Sequence, residues 1–138
     1  MSRLLKIANT QYGIKEVPGV ENNPEIMKYF SGHTWVQGDE TSWCSAFINW
    51  CAKKSGFEYT GELNARSWLK IGRKVSFKDA DIVVFWRESK DSWKGHVAIP
   101  INKDENHVWV LGGNQSNMVK VSAYPKERVL AYIKLYPL

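Results

Sequence analysis

Three residue types that cooperate in nucleophilic acyl chemistry each stand in a favourable local setting in this chain. Cys44 lies in Thr41-Ser42-Trp43-Cys44-Ser45-Ala46-Phe47-Ile48-Asn49-Trp50-Cys51, a run that reads as the start of a helix. The thiolate is the reactive form of cysteine, and the positive end of a helix lowers a thiol's pKa. Thr41 or Ser42 can cap this helix by accepting an orphan backbone N–H, which puts Cys44 in the first turn. His96, in Gly95-His96-Val97-Ala98-Ile99, heads an apolar strand and is the candidate general base. Asn114, in Gly112-Gly113-Asn114-Gln115, ends the next strand and is the candidate partner that fixes the tautomer of the imidazole. Gln115 is one step away and is able to take the same place. Cysteine, base and amide in this order describe acyl transfer through a thioester.

The remaining polar candidates have plainer readings. Cys51 lies two turns beyond Cys44, between Trp50 and Ala52, and is expected in the core. His33 falls in the loop Ser31-Gly32-His33-Thr34, and His107 opens a strand after Asp104-Glu105-Asn106. Asp39 and Glu40 precede the cysteine helix and complement its dipole, and Glu40 is also a candidate for orienting substrate. Trp43, Trp50 and Trp86 are candidates for lining a substrate groove, Trp43 and Trp86 foremost, although core packing is the plainer role for at least two of the three. The histidines and cysteines show no HExxH or CxxC spacing, and no GxGxxG or Walker loop occurs, so no metal and no nucleotide cofactor is expected.

The elements that must position these residues fall into two halves. Ser2 to about Tyr12 reads as an amphipathic helix with Gly13 as its stop. Gly19 to Asn23 is a loop, and Asn23-Pro24 opens a short helix to about Phe30. Ser31 to Glu40 is a second loop. The cysteine helix runs to about Lys54 and closes at Gly56, and a further short helix covers Ala65 to Ile71. Strands follow at Asp81 to Trp86, His96 to Ile101, His107 to Leu111, Val119 to Tyr124 and Val129 to Tyr136. Helices first and a mostly antiparallel sheet second make an α+β fold, expected as one domain over residues 1–138.

The bulk composition narrows the partners. The 138 residues are 43% hydrophobic and 24% charged, which suits a globular chain with a real core. The net charge of +5 favours an anionic partner, but the basic residues are scattered and form no nucleic-acid stripe. Seven tryptophans are many for this length, so some are expected at a surface groove. Cys44 and Cys51 would lie about 10 Å apart along one helix, beyond the roughly 7 Å that a disulfide tolerates. No signal peptide and no membrane span is visible, so a substrate outside the cytoplasm requires release or export by other means.

Four blocks taken together resemble the NlpC-type and CHAP-type cell-wall cysteine peptidases. They are Asp39-Glu40-Thr41-Ser42-Trp43-Cys44-Ser45-Ala46-Phe47, Asp81-Ile82-Val83-Val84-Phe85-Trp86, Gly95-His96-Val97 and Leu111-Gly112-Gly113-Asn114-Gln115-Ser116-Asn117. The likeness runs from about Ile7 to the C-terminus and is strongest to the small bacterial and phage branch. It implies a papain-like fold and cleavage of an amide bond in or next to the peptidoglycan stem peptide. It makes Cys44 the nucleophile and His96 the base, and gives Asn114 the orienting position less firmly, because such proteins vary there among His, Glu, Asn and Gln. It further implies a monomeric endolysin or antibacterial effector that acts on the wall without cofactors. A papain-like acyltransferase and a non-catalytic module binding wall polymer or nucleic acid are the competing readings.

Overall fold

The structure, a computed structural model, describes residues 2–15, 24–30 and 43–138. Helix α1 spans Arg3–Asn9, and its Ser2 cap accepts the Leu5 N–H at 3.1 Å. Leu4 and Ala8, one turn apart, are its buried face. The chain then turns at Gly13, whose positive φ of 91° suits glycine alone. Helix α2, Pro24–Met27, begins on proline and tightens into a 3₁₀ turn over Lys28–Phe30. Helix α3, Cys44–Ser55, is buried along most of its length and ends at Gly56 in the left-handed conformation. A 3₁₀ helix follows at Ala65–Lys70.

Six strands form one antiparallel sheet: β1 Arg73–Val75, β2 Ile82–Trp86, β3 Gly95–Lys103, β4 His107–Gln115, β5 Met118–Pro125 and β6 Val129–Lys134. Their order is β1-β6-β2-β3-β4-β5. The strand β1 is not expected from the sequence, and the others run longer or shorter than expected by a few residues. Gly13 N–H donates to the Val119 carbonyl and Val119 N–H to the Ile14 carbonyl, both at 2.8 Å, so the N-terminal segment covers the outer edge of β5.

Both faces of the sheet carry apolar residues. Ile82, Val84, Val97, Ile99 and Leu111 pack with α1 and α3 in the larger cluster. Val83, Phe85, Ala98, Val108 and Val110 form the smaller one on the opposite face, as strand alternation requires. There the Phe85 and Tyr124 rings lie 5.0 Å apart, although β2 and β5 are three strand spacings apart in the sheet. A flat sheet would hold them about 14 Å apart, so the sheet curls around this smaller cluster. The architecture is α+β, with the helices against one face of a curled antiparallel sheet.

Candidate active site

The N-terminal half of helix α3 is locked against the segment that follows the helix. Ser45 Oγ donates to the Glu62 carbonyl at 2.7 Å and accepts the Trp68 indole N–H at 2.9 Å. One turn on, Asn49 donates to the same Glu62 carbonyl at 3.0 Å and accepts from the Thr60 and Gly61 N–H groups at 3.1 and 3.0 Å. These buried polar groups are matched by partners, which makes the helix position costly to change. Cys44 is the first helical residue and Trp43 the cap, whose side chain makes no capping bond. Thr41 and Ser42, the expected caps, lie outside the described residues, as does Glu40.

The Cys44 thiol differs from expectation. It is buried, and desolvation pushes its pKa above the ordinary value rather than below it. The Val97 backbone N–H, the Arg87 charge and the N–H groups of Ser45 and Cys44 all favour the ionised form, but burial outweighs them together. The helix start is therefore present and its pull on the proton is overridden.

His96 occupies the head of β3, opposite Phe85 in the strand register. Its ring stacks on Tyr124 at 4.9 Å and lies 6.3 Å from Phe85, at the edge of the smaller cluster. Burial pushes its pKa down to about 4, so the imidazole is neutral at neutral pH. Its Nε2 lies 2.9 Å from Gln115 Oε1. The Gln115 amide nitrogen donates to the Lys120 carbonyl at 2.6 Å and to the Val110 carbonyl at 3.3 Å, so the oxygen must face the ring. An oxygen accepts, hence Nε2 carries the proton and Nδ1 keeps its lone pair.

Asn114 is the orienting residue expected from the sequence, and the contact with His96 Nε2 is made by its neighbour Gln115. Asn114 sits in β4 with a φ of 59°, at a break in the β4–β5 register between Gly112 and Gln115. A regular strand alternates faces, and this left-handed residue resets the alternation so that Gln115 turns toward His96. The two preceding glycines provide the room. A Cβ on Gly112 would meet Gln115 Oε1 at 2.7 Å, and one on Gly113 would meet the Trp43 ring at 2.6 Å. Ser116 and Asn117, with φ of 54° and 62°, then form the two-residue turn into β5.

The proposed groove tryptophans divide. Trp43 is fully buried and stacks on Tyr29 at 5.8 Å, so it is core and lines no groove. Trp86 is half-buried, with Arg128 over its ring at 5.0 Å and its N–H directed to the Glu127 carbonyl at 3.3 Å. Trp93, which the sequence did not single out, is the most exposed of the described tryptophans at 69%. Cys51 is a free, fully buried thiol, as its position in the helix indicated. His107 is exposed and pairs with Asp104, and His33 lies outside the described residues.

Three neighbours escaped the sequence reading because strand pairing alone brings them here. Tyr124 caps the His96 ring, and its phenol pKa is raised first by burial and then by the Cys44 sulfur. Arg87 follows Trp86 at the end of β2, and its charge reaches Cys44 and His96. Arg66 donates to the carbonyls of Lys94, Lys90 and Ser89 at 2.8, 2.6 and 2.8 Å, which fixes the loop before His96. Gly95 makes this possible, since a Cβ there would lie 3.1 Å from Arg66 Cγ and 2.8 Å from the Phe85 carbonyl. Among the described residues no group of three His, Cys, Asp or Glu side chains could hold a metal ion. No described helix is long and apolar enough to cross a membrane.

A comparison with curated proteins gave no match. Residues 28–114 match the CHAP domain, a papain-like cell-wall peptidase or amidase domain whose general activity is peptidoglycan hydrolysis. The matched stretch begins in the turn after α2 and runs through α3 and β3 to Asn114, one residue short of the amide that meets His96. With more than half of its length matched, the chain belongs to the CHAP domain family.

Proposed function

We propose that this protein hydrolyses an amide bond in or next to the peptidoglycan stem peptide, with Cys44 as nucleophile, His96 as general base and Gln115 as the residue that orients the base. The observation that carries this reading is the fixed Gln115 amide, whose oxygen meets His96 Nε2 at 2.9 Å. That contact leaves Nδ1 as the basic nitrogen, and the lowered pKa keeps it unprotonated at neutral pH. The burial of both groups favours a neutral thiol and a neutral imidazole in the free enzyme, rather than a preformed ion pair.

The reaction begins when His96 Nδ1 takes the Cys44 proton as the sulfur attacks the amide carbonyl carbon. The Cys44 backbone N–H, at the open end of α3, helps hold the oxyanion. The tetrahedral intermediate expels the amine, which leaves with the proton from His96, and a thioester remains on Cys44. Water, deprotonated by His96, then releases the carboxylate and restores the thiol. The positive net charge favours approach to an anionic wall. The biological role we favour is that of a monomeric endolysin or antibacterial effector, acting on the wall after release or export.

Mass spectrometry of purified peptidoglycan from several wall types, digested with and without an added primary amine, tests this reading. Fragments ending in free carboxylates identify the hydrolase and name the bond. Fragments capped by the amine would make the protein an acyltransferase, and intact peptidoglycan of every type would end the enzymatic reading.

A further inference from the structure

We propose that Arg87 is a specificity-determining residue that binds a carboxylate of the peptide substrate beside Cys44. The inference rests on the peptidoglycan reading and deepens it. The geometry begins with the strand register: Phe85 pairs with His96 and Trp86 with Gly95, and the Arg87 N–H donates to the Lys94 carbonyl at 3.2 Å. Alternation along β2 puts Arg87 on the same face as Phe85, one pleat beyond the ring that lies near His96. Arg87 is exposed.

Its charge has no internal partner among the described residues. No described carboxylate lies within ion-pair distance of it. The adjacent acid, Glu88, adopts a φ of 67° and pairs with Lys94 at 2.7 Å instead. The neighbouring backbone is anchored by the three Arg66 hydrogen bonds, so the loop is ordered before substrate arrives. An exposed guanidinium with no ion pair among the described residues, on the strand face that carries Phe85 toward His96, suits a planar anion held by two parallel N–H bonds. Stem peptides present such anions in their α-carboxylates. The effect of Arg87 on the ionisation of both Cys44 and His96 supports this proximity.

The test uses the full chain with Cys44→Ala, so that binding is read without turnover. The probes are a synthetic stem tetrapeptide with free α-carboxylates and the same peptide with those groups as carboxamides. Titration followed by NMR or calorimetry should show about tenfold tighter binding of the carboxylate form, as one charge-assisted bidentate contact implies. Adding Arg87→Gln should reduce that preference to about twofold or less, and Arg87→Lys should restore part of it. A preference that survives Arg87→Gln, an equal loss for both peptides, or no binding of either peptide overturns the assignment. Peptidoglycan digestion by the wild type is scored separately, so failure of the Arg87 contact is distinguishable from failure of the hydrolase reading.

Discussion

The two cysteines of α3 are seven residues apart on one helix, both free and both buried, yet their surroundings differ. Cys51 is surrounded by core, and burial raises its pKa with only the Lys28 charge in opposition. Cys44 suffers the same desolvation, but three backbone N–H groups and the Arg87 charge work against it. One thiol is held as a hydrophobe, and the other is the nucleophile of the proposed reaction. What separates them is the polar apparatus at the helix N-terminus and the adjoining β3–β4 strands. Reactivity in this molecule belongs to what surrounds the sulfur, and the predictions below remove that apparatus piece by piece.

Apart from the nucleophile itself, the largest effect is expected where the base is oriented. Gln115→Ala should lower kcat/KM on a soluble muropeptide by about 10²- to 10³-fold, because His96 loses both tautomer control and a partner. Asn114→Gly, which keeps the left-handed backbone of the bulge, should cost less than about threefold. Steady-state kinetics on the two variants side by side checks the assignment, and the reverse ranking would return the orienting role to Asn114.

The buried base also ties stability to pH. His96 has a pKa lowered from 6.5 to about 4, so the unfolded chain takes up its proton first as pH falls. Its contribution is complete above about pH 6.5 and declines through that interval to about pH 4, by roughly 3 kcal/mol. Urea unfolding at pH 7 and pH 4 should show a smaller difference for His96→Gln than for the wild type by about that amount. The acid limb of kcat/KM should likewise fall near pH 4 and not near 6.5.

Smaller effects follow from packing. In Gly112→Ala the new methyl would approach Gln115 Oε1 to 2.7 Å and Ala98 Cβ to 2.9 Å, displacing the amide from His96. A loss of about tenfold in kcat/KM is expected, with the melting temperature showing an overpacking cost of about 1 kcal/mol or more. Cys51→Ala should destabilise by about 1 kcal/mol through a small cavity and leave hydrolysis within about twofold of wild type. Denaturant unfolding and muropeptide assays on the same preparation measure both.

Much of this architecture is legible in the sequence because its signals are local. Ser2 caps α1, Gly56 ends α3, and alternating apolar residues mark the strands that pair. The places of Cys44 at the head of α3, His96 near the head of β3 and the amides at the end of β4 are legible for the same reason. The choice between Asn114 and Gln115 is not, since adjacent strand residues face opposite ways and a single bulge reverses which one points inward. The direction of the Cys44 shift is hidden too. A sequence displays the helix start, whereas burial depends on how the sheet curls against it. Arg87 and Tyr124 reach the site only through pairing of distant segments, and no local pattern announces them.

The most direct test of the central claim is digestion of purified peptidoglycan by the wild type, Cys44→Ala and Cys51→Ala, with fragments read by mass spectrometry. The account predicts identical fragments from the wild type and Cys51→Ala, and none from Cys44→Ala. Fragments produced by Cys44→Ala, or their loss in a folded Cys51→Ala protein, would contradict it.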